Sequence, residues 1–190
     1  MSDTSIMIVG VGGQGTLLAS KLIGAVAMSG GFDVKVSEVH GMSQRGGSVV
    51  TYVRYGQKVA SPIIEKGEAD YILAFEELEA ARYLPYLKKG GLMLVNSRQI
   101  DPMPVITGAA VYPQELTAKI QAAGANIEGI DALEIAQQAG NTKAVNVVMI
   151  GLLAKHISAP REHWEQAIRA TVPQRFYEQN LQAFMASYQK

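Results

Sequence analysis

The residues whose types and spacing could do chemistry fall into three short groups. The first is Gly10-Val11-Gly12-Gly13-Gln14-Gly15, which follows the apolar run Ile6-Met7-Ile8-Val9. It opens a segment, Thr16 to Met28, with apolar residues at helical spacing, so strand, tight turn and helix arrive in the order of a phosphate-binding glycine fingerprint. Glycine there permits the turn, lets a phosphate approach the backbone and lets helix pack close to strand. The N–H groups at the helix start then face the anion, aided by the positive end of the helix dipole. Gly10, Gly12, Gly13, Gln14 and Gly15 are therefore candidate cofactor-binding residues; the alternative is a turn that only packs helix on strand. The second group is His40-Gly41-Met42-Ser43-Gln44-Arg45-Gly46-Gly47. Arg45 offers a planar five-donor fork suited to a carboxylate or phosphate, and Ser43 and Gln44 add neutral hydrogen bonds; the alternative is a solvated surface arginine. The third group is acidic. Glu38 stands about where a ribose-binding acid falls in an ordinary dinucleotide fold, and Glu76-Glu77 close a run of strand formers. Ligands gather at the carboxyl ends of strands, but acids opening a helix are also ordinary dipole partners, and for Glu76 the structural role is favoured.

Composition limits what such groups can do. In 190 residues, 48% hydrophobic, a full core can be buried, which argues against disorder. Seventeen basic and seventeen acidic side chains cancel, leaving no electrostatic footprint for nucleic acid or for a membrane surface. No run is long and apolar enough to span a bilayer, and Met1-Ser2-Asp3-Thr4 does not resemble a signal peptide, so a cytoplasmic location is expected. With no cysteine in the sequence, a disulfide, a thiol nucleophile and a thiolate-held iron–sulfur cluster are excluded on this chain. His40, His156 and His163 lack a metal-ligand spacing.

The elements that must position these groups alternate. Val34 to Val39 reads as a second strand, completing a β-α-β unit; Ser48 to Tyr55 follows too soon for a helical crossover and is expected to be antiparallel or on an edge. Tyr71–Phe75 reads as a strand, Glu77–Leu87 as a helix stopped by Gly90-Gly91, and Leu92–Val95 as a buried strand ending at Asn96. Asp101–Pro104 reads as an extended connector, Ala109–Tyr112 as a short strand, Leu116–Ala123 as a helix, Ile127–Ile130 as a strand and Ala132–Ala139 as a helical turn or two. Lys143–His156 is apolar nearly all round and must be buried on several faces; Asn146 within it is a core amide or a group aimed at a ligand crevice. After Pro160, Trp164, Ala167, Ile168 and Val172 share a helical face. Tyr177, Leu181, Phe184 and Tyr188 do the same after Pro173, as core or as a docking stripe. The pattern predicts an α/β, Rossmann-like three-layer domain with a mostly parallel sheet over residues 1–158, and a C-terminal helical extension of the same domain over 159–190.

A set of acid, base and nucleophile sufficient for a reaction is missing, so the chain reads as one part of a larger enzyme. Ile8 to Gly15, Ser37 to Val49 and Asn141-Thr142-Lys143-Ala144-Val145-Asn146 resemble the gamma-type subunits of the 2-oxoacid:ferredoxin oxidoreductases, and within that family the beta subunit of the indolepyruvate branch. The similarity runs in order over about the first 155 residues, and its most specific element is the His40–Gly47 loop. The resemblance implies thiamine-dependent oxidative decarboxylation of a 2-oxoacid to an acyl-coenzyme A, with electrons passed through iron–sulfur clusters to ferredoxin. It places thiamine diphosphate and the clusters mainly on a larger partner subunit, in keeping with the absence of cysteine here, and makes the glycine loop a candidate contact for coenzyme A. Aryl pyruvates such as indolepyruvate are the first choice of substrate; pyruvate, branched-chain 2-oxoacids and 2-oxoglutarate stay open. So does a stand-alone nucleotide-binding regulatory module.

Overall fold

Successive strand residues point to opposite faces of a sheet, and here both faces are apolar. Ile6 and Ile8 are fully buried on one side of the first strand, Met7 and Val9 on the other. The computed structural model describes residues 3–40 and 46–189, with only the backbone of His40. It contains a six-stranded sheet of β1 (Thr4–Val11), β2 (Asp33–His40), β3 (Ser48–Gly56), β4 (Ala69–Ala74), β5 (Leu87–Asn96) and β6 (Asn126–Ile130), in the order β2-β3-β1-β4-β5-β6. β1, β4, β5 and β6 pair in parallel, while β3 runs antiparallel to both β1 and β2.

The crossover from β1 to β2 through α1 (Thr16–Ser29) is the expected β-α-β unit, but β3 lies between its two strands. β3 is antiparallel, as its short connection requires, yet it is interior, and β2 is the edge. Residue chemistry explains the exchange. β3 buries Val49, Val50, Val53 and Tyr55, whereas β2 carries Lys35 and Glu38, charges that suit a strand with one open side.

Helices cover both faces. On the Ile6/Ile8 side α1 packs with α5 (Ala132–Gln138), α6 (Val145–Ala154), α7 (Arg161–Thr171) and α8 (Tyr177–Tyr188); on the other side Ala80 of α2 (Glu77–Tyr83) and Ile120 of α4 (Leu116–Ala122) meet Met7, Val9, Ile72 and Met93. A four-residue helix, α3 (Met103–Ile106), lies in the connection after β5. α6 is buried from Asn146 to Ala154, as its all-round apolar sequence demands, and α8 lies against it. Ser187 Oγ donates to Val148 O across that contact at 2.7 Å. The Tyr177–Tyr188 stripe is core: Tyr177 and Phe184 are buried, and the Phe184 ring stacks between Trp164 and Tyr188.

Three sequence expectations are corrected. The helix from Glu77 ends at Tyr83, because Pro85 has no N–H to continue it; a 3₁₀ turn, Leu84–Tyr86, leads into β5, which already contains Gly90-Gly91. Asp101–Pro104 is not wholly extended, since Met103 begins α3. Ala109–Tyr112 is not a strand: Ala109 to Val111 are exposed, and Tyr112 is drawn inward by its hydroxyl, which donates to Glu76 Oε1.

Candidate functional site

The parallel strands and β2 all end on one side of the molecule, where the glycine loop lies. Within that loop the six residues divide by what their polar groups do. Gly10 is still in β1, and a side chain there would press on Gln14 and on Phe75. Gly12 N–H donates to Gly47 O at 2.9 Å. Gln14 turns inward: its Oε1 accepts from Val11 N at 2.7 Å, and its Nε2 donates to Phe75 O at 2.9 Å. The Gly12 N–H and the Gln14 amide are therefore committed to the protein and are not free to face a phosphate. Gly13 and Gly15 have φ of +104° and +83°, which glycine alone adopts at little cost, and their N–H groups, with that of Thr16, donate to none of the described residues. Gly15 is the N-cap of α1 and offers no side chain of its own as a cap.

Two clefts flank this turn. Toward β2 lies one of ≈ 440 Å³, lined by Gly12, Gly13, Thr16, Leu17, Glu38 and Val49. β3 separates Glu38 from β1, unlike an ordinary dinucleotide fold, yet Glu38 still reaches the cleft. Toward α6 lies a crevice of ≈ 560 Å³, where Gly13 and Gly15 face Arg98, Lys143 and Asn146. Asn146 is 9% exposed; its Oδ1 accepts from Val147 N, while its Nδ2 donates to none of the described residues. A side chain on Gly15 would collide with that Nδ2, so the asparagine amide and the glycine turn are in direct apposition. Asn146 is thus a buried amide whose side chain also lines the crevice wall. Arg98 follows the end of β5 and gave no sequence signal beyond that position; Lys143 lay within the Asn141–Asn146 motif.

The acids behind the turn are structural. Glu76 is 1% exposed and caps α2 by accepting from Glu79 N at 2.9 Å. Its other oxygen accepts from Ile100 N and from Tyr112 Oη, pinning both ends of the excursion after β5. Burial, followed by the bond to Glu76, pushes the Tyr112 phenol far above its usual range. Glu79 is buried as well; burial raises its carboxyl, while Ser48 and Arg82, which donate to it, oppose the rise. Asn96 bridges Phe75 O and Ala132 N, joining the ends of β4 and β5 to the start of α5.

Ser43, Gln44 and Arg45 lie outside the described residues. The residues that flank them do not: His40 pairs with Val49, and Val11 with Ser48, at the carboxyl end of the sheet beside the glycine turn.

The open α/β sheet thus ends in a glycine turn whose Gly13, Gly15 and Thr16 N–H groups have no partner among the described residues. Residues 5–190 match the pyruvate ferredoxin/flavodoxin oxidoreductase family, and the chain belongs to it. It is 44% identical to indolepyruvate oxidoreductase subunit IorB of Thermococcus kodakarensis, over 97% of this chain and 94% of that one. Among solved structures, its fold is similar to pyruvate oxidoreductase subunit PORC of Thermotoga maritima, with a TM-score of 0.77 at 22% identity over 100% and 97% of the two chains. It is also similar to 2-oxoglutarate:ferredoxin oxidoreductase of Magnetococcus marinus, solved with 2-oxoglutarate, coenzyme A and succinyl-CoA, with a TM-score of 0.73 at 17% identity; all of this chain matches 32% of that one. No described helix is long and apolar enough to cross a membrane.

Proposed function

We propose that this chain is the smaller subunit of an indolepyruvate oxidoreductase and that its glycine-loop end contacts coenzyme A. The observation that carries the reading is the near end-to-end match to an indolepyruvate oxidoreductase subunit. The reaction is oxidative decarboxylation of an aryl 2-oxoacid to its acyl-coenzyme A, with ferredoxin as electron acceptor. Thiamine diphosphate, held by the larger subunit, supplies the electron sink for decarboxylation. Iron–sulfur clusters belong on that subunit too, because this sequence has no thiolate to hold one.

This chain's residues bind and orient. Gly13, Gly15 and Thr16 present backbone donors at the positive end of α1, which suits a phosphate group of coenzyme A. Glu76, Glu79 and Asn96 hold the surrounding strand ends and take no proton from substrate in this account.

Reconstitution tests the reading. The chain alone should not reduce methyl viologen with indolepyruvate and coenzyme A, and activity should appear on adding the larger thiamine- and cluster-bearing subunit. Indolepyruvate should be preferred over pyruvate and 2-oxoglutarate. Turnover by the chain alone would end the division of labour. One observation favours a second reading, a stand-alone nucleotide-binding module: Glu38 lines the cleft beside Gly12 and Gly13, as a ribose ligand would. Saturable binding of NAD with no response to coenzyme A would select it.

A further inference from the structure

We infer that a cavity at the amino end of the sheet, on the opposite side of the molecule from the glycine turn, is a binding site for a small neutral aromatic molecule that carries a hydroxyl group. It lies among the end of α1, the 156–160 connection and the start of α7, with Tyr55 of β3 and Tyr71 of β4 on its wall. Its volume is ≈ 380 Å³. An apolar cavity of about 150 Å³ already holds benzene, so one substituted ring or two fused rings fit here. The wall itself is aromatic: the Phe32 and Tyr55 rings meet at 5.6 Å and 52°, and Trp164 adds a third. Such faces and edges favour a further ring in offset or edge-to-face contact.

Polar groups on the wall choose the substituent. Ser29 Oγ has one proton and donates it to Val26 O at 2.8 Å, so toward His163 Nδ1, at 3.0 Å, it accepts. Nδ1 therefore carries the hydrogen, and in the neutral ring Nε2 is left as an acceptor with no partner among the described residues. Next to it in the chain, Trp164 is 1% exposed, and its indole Nε1–H is buried without a partner. An unmade buried donor is costly. A hydroxyl both donates and accepts, so it can serve either group. The same wall selects against charge. Among the described residues no lysine, arginine or carboxylate lines the cavity, and the cations that flank the 156–160 connection, Lys155 and Arg161, are paired with Glu128 and Glu165. A carboxylate or phosphate brought here would lose its hydration with no opposite charge to replace it. The assignment is independent of the function proposed above.

Trp164 is the only tryptophan in the sequence, so its indole N–H gives one cross-peak in a ¹H–¹⁵N spectrum and reports on this cavity alone. The full-length chain is titrated with phenol, toluene and benzoate in mildly alkaline buffer, where imidazole is neutral. Phenol should move the cross-peak saturably. Toluene, similar in shape but without the hydroxyl, should bind roughly fivefold more weakly, the size of one ordinary hydrogen bond, and benzoate should not saturate. His163→Phe should reduce phenol to the affinity of toluene and leave toluene little changed, whereas Ala159→Leu, which fills part of the cavity, should abolish both. If either variant loses the native dispersion of the spectrum, Ser29→Ala, at an exposed position, releases the His163 tautomer and should weaken phenol without affecting toluene. Absence of a saturable shift with phenol, equal affinity for phenol and toluene, or a preference for benzoate overturns the proposal. So does displacement of bound phenol on adding the larger subunit, which would assign the cavity to a side chain of that partner.

Discussion

Toward the amino end of the sheet, three carboxylates are matched within the chain. Asp70 accepts from Ser5 N and from the Lys88 ammonium, Asp33 from Lys35 and Val59 N, and Glu128 from Lys155 with His156 beside it. The cavity there, ≈ 380 Å³, is lined by Phe32, Tyr55, Tyr71 and Trp164 with His156 and His163, and among the described residues by no carboxylate, lysine or arginine. At the carboxyl end Arg98 and Lys143 face a crevice with no such partner among the described residues, beside backbone donors that are also unspent. Both ends belong to one sheet of one nearly neutral chain. What differs is how the polar groups near each are used: the three carboxylates at the amino end are closed on partners, while Arg98 and Lys143 have no ion pair among the described residues.

The two ends of α1 provide the sharpest way to break this contrast, because each carries a glycine with positive φ. Gly31 (φ +80°) follows the helix, has open space where a side chain would go, and allows Phe32 N to return to Ala27 O at 3.1 Å. Gly15 (φ +83°) precedes it and abuts Asn146. Gly31→Ala should therefore cost only the backbone term, about 1 kcal/mol. Gly15→Val adds a collision with Asn146 to a left-handed β-branched residue and should cost about 3 kcal/mol, the largest effect considered. Urea denaturation of both variants measures this. Equal losses would mean that the turn and Asn146 are not as tightly apposed as described.

Glu128 carries the next effect, which depends on pH. Burial pushes its carboxyl up, but hydrogen bonds from Lys155 and His156 and their charges outweigh burial and hold it below the ordinary glutamate value. A folded-state value below the unfolded one means that the unfolded chain binds the proton more tightly. The contribution is therefore present above the unfolded value, about 4.3, and is lost as pH falls through the folded value. All three partners are part-exposed, so solvent screening limits the pair. Glu128→Gln should cost about 0.5 kcal/mol at neutral pH, and the difference should vanish in acid. A cost that persisted in strongly acidic solution would assign the loss to packing rather than to charge.

Much of the fold was legible because it depends on periodicity. The all-round apolar helix, the glycine turn between strand and helix, and the short link into an antiparallel β3 each follow from local pattern. The placement of β3 between β1 and β2 was not, since which strand takes the edge depends on how both faces of each are covered. Ala109–Tyr112 misled for a related reason: its strand-like residues have no neighbour to pair with, and Tyr112 is held by a tertiary bond to Glu76. For the site, the glycines gave its place but not its donors. Gln14 lies inside the fingerprint yet points into the protein, while Arg98 is remote in sequence and arrives through the pairing of β4 with β5. Such an arrangement belongs to the ends of strands, which no single stretch of sequence contains.

Lys143 sharpens the contrast through an effect near zero. A cation that served the fold would cost stability when removed, as Glu128 should at the other end. Lys143 has no ion-pair partner among the described residues and stands where the dipole of α6 opposes it, by about 0.3–1 kcal/mol for an exposed charge at low salt. Lys143→Ala should thus be neutral or stabilising by up to about 0.5 kcal/mol in buffer without phosphate, as measured by thermal unfolding at low ionic strength. A clear loss of stability on removing Lys143 in the absence of phosphate would show a structural partner for its charge, and the carboxyl end would then close its charges as the amino end does.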